Sequence, residues 1–386
     1  MRTPEEFDEI RPYDPEELPE IFEELIADEE FRQVVAAAVP EMPFEQACQA
    51  LRQCKTNLDV QKTFFYPLLK KLVAQLSDGF TLDCDTITDK TKSYTFITNH
   101  RDIVIDSAFL SIALLDHHFN NTVEIAIGDN LLIRPWIRKL VRVNKSFIVQ
   151  RGISMREILR SSTRLSRYMH YAIGTKHENI WIAQREGRAK DSDDRTQDSI
   201  LKMMAMGGEG SIIERLKAMH LVPTALSYEY DPCDYLKAQE FQQKRDIAGF
   251  KKSPADDLEN MKTGIFGYKG KICFRMAGEI NDWLDTLPAD MPKTELFTAI
   301  ATHIDHEIHR SYTLFPGNYV AADLLHDTHT HEANYSQEEK DRFEAYIQSR
   351  IEKVQLSQPD TAFLRERLLT MYANPVFNYE KACQLS

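Results

Sequence analysis

Thr95-Phe96-Ile97-Thr98-Asn99-His100-Arg101-Asp102-Ile103-Val104-Ile105-Asp106 opens as a strand and closes as the start of a helix. Tyr94, Phe96 and Ile97 are aromatic or β-branched, and Thr95 and Thr98 suit a pleated surface. The strand breaks at Asn99-His100. An amphipathic helix carrying Phe109, Leu110, Ile112, Leu114 and Leu115 then begins. The reading leaves a histidine at the C-terminal end of a strand, with acids a few residues on. In an open α/β sheet that edge is where ligands bind. A neutral imidazole accepts a proton near pH 7, and a carboxylate fixes its tautomer and stabilises the imidazolium. The same residues also describe a plain helix start, with Asp102 or Asp106 capping amides and His100 merely exposed.

Working outward, β-rich runs alternate with helical ones. The strand candidates are 93–98, 123–128, 146–150, 179–184 and 221–228, with helical candidates 103–116, 134–142, 154–173 and 196–218 between them. This alternation predicts an α/β fold with a mostly parallel central sheet flanked by helices. A further β-like run, 270–277, follows a polar stretch. Upstream, 19–76 is helical in pattern, and downstream the chain returns to helix. The expected organisation is an acidic, disordered tail over 1–18, an N-terminal helical domain over 19–90, a catalytic domain over 91–330, and a C-terminal helical extension over 331–386.

The chain has 386 residues, 42% hydrophobic and 28% charged, the composition of a globular protein. No run of about 18 uncharged apolar residues predicts a transmembrane helix. The N-terminus MRTPEEFDEIRPYDPEE lacks the apolar segment of a signal peptide. Six scattered cysteines with no CxxC pair fit reduced thiols and a cytoplasmic location. The net charge of −13 is unevenly placed: residues 1–31 hold 13 Asp/Glu and 2 Arg. The rest is near neutral, yet 134–168 carries ten Lys/Arg against the single acid Glu157. Such a patch suits phosphate groups, an acidic carrier protein or acidic lipid headgroups. No aromatic platform accompanies it, so nucleic acid is not expected. His303, His306 and His309, and His326, His329 and His331, lack a Cys partner or an HExxH pattern, and no metal is expected.

Four features recur near successive strand ends. They are Asn99-His100 with its acids; Gly128-Asp129-Asn130-Leu131; the strand Ser146–Gln150 leading to Arg151; and Glu186-Gly187-Arg188 after Asn179–Gln184. A fifth strand begins at Val222-Pro223 and ends in Tyr228-Glu229. In these blocks the chain resembles the glycerolipid acyltransferases, the family of the glycerol-3-phosphate and lysophosphatidate acyltransferases. The resemblance covers residues 95–230, with the blocks in the family's order. Gly128-x-Asn130-Leu131 and the Tyr228-Glu229 ending look more like the glycerol-3-phosphate branch. Two departures stand out. The family's Asp lies at +5 from the His, where this chain has Ile105. Asp106, at +6, and Asp102 are both open as its counterpart, with Asp106 favoured by the Ser107-Ala108-Phe109-Leu110 that follows. Glu186 lies two residues before Arg188 rather than three, and Arg185 occupies the family's Glu position.

The resemblance implies transfer of a fatty acyl group from a thioester to a hydroxyl of glycerol-3-phosphate or a lysolipid, at a membrane surface reached peripherally from the cytoplasm. His100 would be the general base and Asp106 its partner. Arg151 and Arg188 would clamp the acceptor phosphate. Glu186 and Gly187 would line the acceptor site, with Gly128 and Asn130 beside it. No cofactor is expected; acyl-ACP or acyl-CoA would be the donor co-substrate. Arg134, Arg138, Lys139 and Arg142 would receive the acidic carrier or the bilayer, or else form a solvated helix face. No Ser or Cys lies in a nucleophile-elbow setting, which fits direct transfer. The competing readings are an acyltransferase acting on another hydroxylated lipid of the N-acyl amino acid type, an acyl-thioester hydrolase, and a non-catalytic lipid- or carrier-binding protein.

Overall fold

The computed structural model describes residues 2–38, 42–132, 134–151 and 154–384. Seven strands form one sheet: β1 (Gly79–Asp83), β2 (Thr95–Thr98), β3 (Val123–Gly128), β4 (Ser146–Val149), β5 (Asn179–Ala183), β6 (Leu221–Tyr228) and β7 (Lys271–Met276). Their spatial order is β1-β7-β6-β2-β5-β3-β4. The five strands from β6 to β4 are mutually parallel, with Thr95 in register with Ile180 on one side and Leu221 on the other. β7 runs antiparallel to β6, and β1 is parallel to β7. This is the mostly parallel α/β sheet that the alternation predicted. A consequence follows for function: β6, β2, β5, β3 and β4 all end at the same edge of the sheet.

β2 lies at the centre and is buried on both faces. Because side chains alternate along a strand, Phe96 and Ile97 enter different cores. Ile97 joins Phe147, Ile180, Ile182 and Tyr168 beneath the helices Met155–Gly174 and Lys293–Arg310. Phe96 joins Trp181, Val222, Phe109 and Phe274 beneath the helices Tyr66–Leu76 and Ile105–Asp116. The C-terminal helices Pro316–His326, Gln337–Glu352 and Thr361–Gln384 build a separate cluster around Phe343, Ile347 and Leu368. The N-terminal helices build another around Phe22, Leu25 and Leu51, which also covers Trp136, Leu140 and Val143 of the helix Pro135–Val143. No helix among the described residues is long and apolar enough to cross a membrane.

Three elements differ from the sequence reading. The segment 19–90 is helical only to Leu76; β1 follows and pairs with β7, almost two hundred residues later, a contact no local pattern encodes. The helix expected over 196–218 is two short helices, Asp198–Met204 and Ile212–Lys217. Gly207, Gly208 and Gly210 lie between them, the last two at φ of 76° and 83°, where side-chain-bearing residues are strained.

The third difference is the acidic stretch 1–18, expected to be disordered. Residues 2–18 instead lie on the body of the protein. Phe7 and Ile10 are buried in the main core, Phe7 edge-on to Tyr168 with ring centroids 5.4 Å apart. Ile148 N–H donates to Ile10 O at 2.8 Å, satisfying an amide of the edge strand β4. Arg11 is buried, with Asp8 and Glu17 as ion partners and Pro12 O as a further acceptor. Two apolar anchors and one buried guanidinium hold a segment whose average composition reads as disorder.

Phe7→Ala is therefore expected to lower unfolding stability by about 3 kcal/mol, the cost of emptying a buried aromatic site. A urea titration checks this; a midpoint equal to wild type would mean that the segment contributes nothing to the core.

Candidate active site

Where β2 ends, the backbone turns through 99–104 and enters the helix Ile105–Asp116. Asp106, in that helix's first turn and only 1% exposed, organises the turn. Its Oδ2 accepts from Arg101 N at 2.7 Å and Asp102 N at 2.9 Å, and pairs with His100 Nδ1 at 2.8 Å. Its Oδ1 accepts from the Tyr228 hydroxyl at 2.8 Å. A buried carboxylate is tolerable only with such donors, and charge-assisted bonds of this kind contribute about 1.5–3 kcal/mol each. With three donors on one oxygen, His100 carries its proton on Nδ1, and the lone pair is left on Nε2. The His100 side chain is 12% exposed, and Nε2 makes no hydrogen bond among the described residues. Trp181 sets the ring from the side, edge-on with centroids 5.4 Å apart, its own Nε1 donating to Thr98 Oγ1 at 3.0 Å.

The +6 spacing is thus accommodated. Asp106 pairs with His100, and Asp102 takes the capping role: its Oδ1 accepts from Val104 N at 2.8 Å and Ile105 N at 3.0 Å. Burial, and then the neighbouring Asp106, push the Asp102 carboxyl above the usual range. Burial, and then Asp106, also raise Tyr228 well above an ordinary phenol, so it stays a donor.

Residues that the sequence reading did not assign hold this turn to the rest of the molecule. Asn99 Nδ2 donates to Leu226 O at 2.9 Å, and Asn99 Oδ1 accepts from Leu226 N at 2.7 Å, tying the end of β2 to β6. Arg101 forms a two-pronged pair with Asp194 at 3.0 and 2.7 Å. Burial opposes the Arg101 charge, but Asp194 outweighs it and holds the guanidinium firmly protonated. Tyr312 also donates to Asp194, and His309 Nε2 donates to Asp194 O at 2.8 Å, so the third histidine of the 303–309 series is structural. The acid-rich run Asp191–Asp194 was the only sequence signal for this anchor.

The helix Pro254–Phe266 packs on the same turn. At Gly264 a Cβ would stand 1.8 Å from Asp102 Oδ2, so only glycine permits the approach. Lys269 is buried beside it, its ammonium held by Gly264 O and Gly267 O at 2.7 Å each; burial pulls its pKa down.

The remaining predicted site residues fall into two groups at the same sheet edge. Gly128, Asn130, Arg151 and Glu186 gather at the ends of β3, β4 and β5. A Cβ on Gly128 would meet Asn130 Oδ1 at 2.5 Å and Arg151 Nε at 2.8 Å. Arg151 N–H donates to Asp129 Oδ1 at 3.1 Å, and the Arg151 guanidinium pairs with Glu186. Gly187 turns the chain at φ of 70°. Arg188 then leaves this group: its Nη2 donates to Asn260 Oδ1 at 2.9 Å, while Nη1 is buried with no hydrogen-bond partner among the described residues. The two arginines expected to act as one clamp thus have separate partners.

The basic run is largely engaged by the chain's own acids. Lys139 pairs with Glu24 at 2.9 Å, Arg164 with Glu9 at 2.7 Å and Arg167 with Glu6 at 2.8 Å. Arg142 donates to Arg11 O and Asp8 O, Arg138 to Glu9 O, and Arg134 faces Glu30. His303 stacks on Trp283 at 3.8 Å, and His331 lies between Asp323 and Glu380. Among the described residues no group of three or more His, Cys, Asp or Glu is placed to hold a metal ion.

No family model matches the chain, and no curated protein matches it significantly. Among solved structures it is similar to the crystal structure of the 1-acyl-sn-glycerophosphate (LPA) acyltransferase PlsC from Thermotoga maritima. The identity is 8% and the TM-score 0.38, over 76% of this chain and 97% of that one.

Gly264→Ala drives a methyl into Asp102, whose other oxygen caps the helix. We expect a loss of about 2 kcal/mol or more of stability from overpacking. Urea unfolding of this variant beside Gly174→Ala, also helical and with nothing within 4 Å of its Cβ, separates the close approach from loss of a helical glycine as such.

Proposed function

We propose that the protein is an O-acyltransferase that moves a fatty acyl group from an acyl thioester, on acyl carrier protein or coenzyme A, to a hydroxyl of glycerol-3-phosphate or a lysophospholipid. The observation that carries this reading is the His100–Asp106 pair, with Nε2 of His100 unbonded among the described residues, at the edge where five parallel strands end. The resemblance of the four blocks across 95–230 supports the choice of reaction.

In this mechanism the acceptor hydroxyl lies against His100 Nε2. The imidazole takes its proton as the oxygen attacks the thioester carbonyl. Asp106 stabilises the imidazolium through Nδ1–H, and the Arg101 and Asp102 amides hold that carboxylate in place. When the tetrahedral intermediate collapses, the C–S bond breaks and the imidazolium returns its proton to the leaving thiolate. The acyl group ends as an ester and the donor as a free thiol, with no acyl-enzyme. For the acceptor phosphate, Arg188 would offer Nη1, which has no hydrogen-bond partner among the described residues, and Arg151 would exchange Glu186 for the phosphate. A protein acting peripherally on the cytoplasmic membrane is consistent with this chemistry.

The test is acyl transfer by purified protein with long-chain acyl-ACP or acyl-CoA and glycerol-3-phosphate, lysophosphatidate or no acceptor. We expect acceptor-dependent product, and a loss of roughly 10³-fold in kcat for His100→Ala. Asp106→Asn is expected to lower kcat by at least about 10²-fold through the wrong imidazole tautomer. Thioester loss without acceptor would instead make the protein a hydrolase, and unchanged turnover in His100→Ala would remove the general base from the mechanism. Arg188→Ala is expected to raise KM for a phosphorylated acceptor at least about tenfold, with the KM for the acyl donor unmoved; equal effects on both would point to a structural role.

A further inference from the structure

We propose that the sheet edge carrying His100 docks on an anionic lipid surface, through the outer stripe of the helix Pro254–Phe266 and the first turns of the helix Met155–Gly174. The proposal deepens the acyltransferase reading and rests on it for its purpose, since a lipid acceptor or product has to reach His100 from a bilayer.

The helix Pro254–Phe266 has two faces. Asn260 and Gly264, four residues apart, point inward to Arg188 and Asp102. Leu258, Lys262 and Phe266 repeat at the same spacing, rotated by about 200° from that inner pair. They point outward: Leu258 is 50% and Phe266 65% exposed, and Lys262 is exposed without an ion pair among the described residues. The helix is thus a cover over the His100 turn whose outer stripe is apolar with one base; of its acids, Asp256 is taken up by the Ser253 cap and Asp257 pairs with Lys252 at 3.2 Å. Glu259 borders the stripe, its carboxylate accepting from Thr263 Oγ1.

The helix Met155–Gly174 supplies the second contact. It starts shortly after Arg151, at the same sheet edge. Ile158 and Leu159 are 45% and 61% exposed, flanked by the exposed Arg156 and Arg160. Neither arginine has an ion pair among the described residues, in contrast to Lys139, Arg164 and Arg167, which the N-terminal acids neutralise. Glu157 is engaged in the helix's own cap with Ser154. Arg138 and Arg142 lack a carboxylate partner too, but they donate to the backbone carbonyls of Asp8, Glu9 and Arg11; Arg156 and Arg160 carry unpaired charge directly beside apolar side chains left in solvent. Val104, at the start of the helix after the His100 turn, is exposed as well.

Apolar side chains interleaved with unpaired Lys and Arg favour the headgroup–acyl boundary of an anionic bilayer. An acidic carrier protein would use the same charges but cover one compact patch. Here the exposed apolar groups are spread over three segments around one edge, which suits a plane.

The experiment is co-sedimentation of the full chain with vesicles of phosphatidylcholine alone or mixed with phosphatidylglycerol. We expect binding to the mixed vesicles only. Leu258→Ser/Phe266→Ser, Ile158→Ser/Leu159→Ser and Arg156→Glu/Arg160→Glu should each weaken it about tenfold. All these side chains are exposed, so urea midpoints should stay at the wild-type value and exclude misfolding. Arg167→Glu, on the face covered by the N-terminal segment, should bind as wild type. His100→Ala should also bind as wild type, so a failed transfer assay and a failed docking assay remain distinguishable. Wild type that stays in the supernatant with both vesicle types, or surface variants that sediment undiminished, would overturn the proposal. So would variants that lose binding to acyl carrier protein while keeping vesicle binding, since that outcome gives the face to a carrier.

Discussion

The buried carboxylate of Asp106 is the constraint around which the candidate site is arranged. A charge with almost no solvent contact must find donors, and this one takes two successive backbone amides, an imidazole and a phenol. Each donor comes with a structural commitment. The amides require the tight turn after β2, the imidazole is thereby given one tautomer, and the phenol requires β6 to lie beside β2. Asp102 stabilises the resulting helix start, and Gly264 lets a second helix close over it. A carboxylate that looks like an accessory to a histidine in the sequence is, in the folded chain, the group that positions the histidine.

Charge is arranged with similar economy at a larger scale. The acids of 1–31 and the bases of 134–167 largely face each other, so the strongest electrostatic feature of the sequence is internal. Exposed pairs of this kind contribute little individually. Phe7, Ile10 and the buried Arg11 do the holding, and the surface pairs set the register of the segment on the helices beneath it.

The sheet and the dyad were legible because both are local signals. Strand–helix alternation is a periodicity, and His100 and Asp106 are close enough in sequence for a single turn to join them. The features that were missed depend on distant partners. β1, just past the helical pattern that ends at Leu76, did not read as a strand because its strand character comes from β7. The acidic stretch looked disordered because its average composition conceals the two side chains that dock. Arg151 and Arg188 looked alike as strand-end arginines, yet one finds Glu186 and the other Asn260, a residue from a helix some seventy positions later. The acid-rich run around Asp194 did not single it out as the anchor of Arg101, since only the fold brings the two loops together.

The position of β2 also bears on how the chain is assembled. The central strand precedes both its neighbours, β5 and β6, in the chain, and the contacts that complete the turn after it span more than a hundred residues: Asp106 to Tyr228, and Asn99 to Leu226. Closing such long loops is entropically slow, and an unpaired apolar strand is prone to wrong pairing while it waits. The turn with His100 can only be finished after β6 has joined the sheet. The arrangement around His100 is then among the last features the folding chain completes.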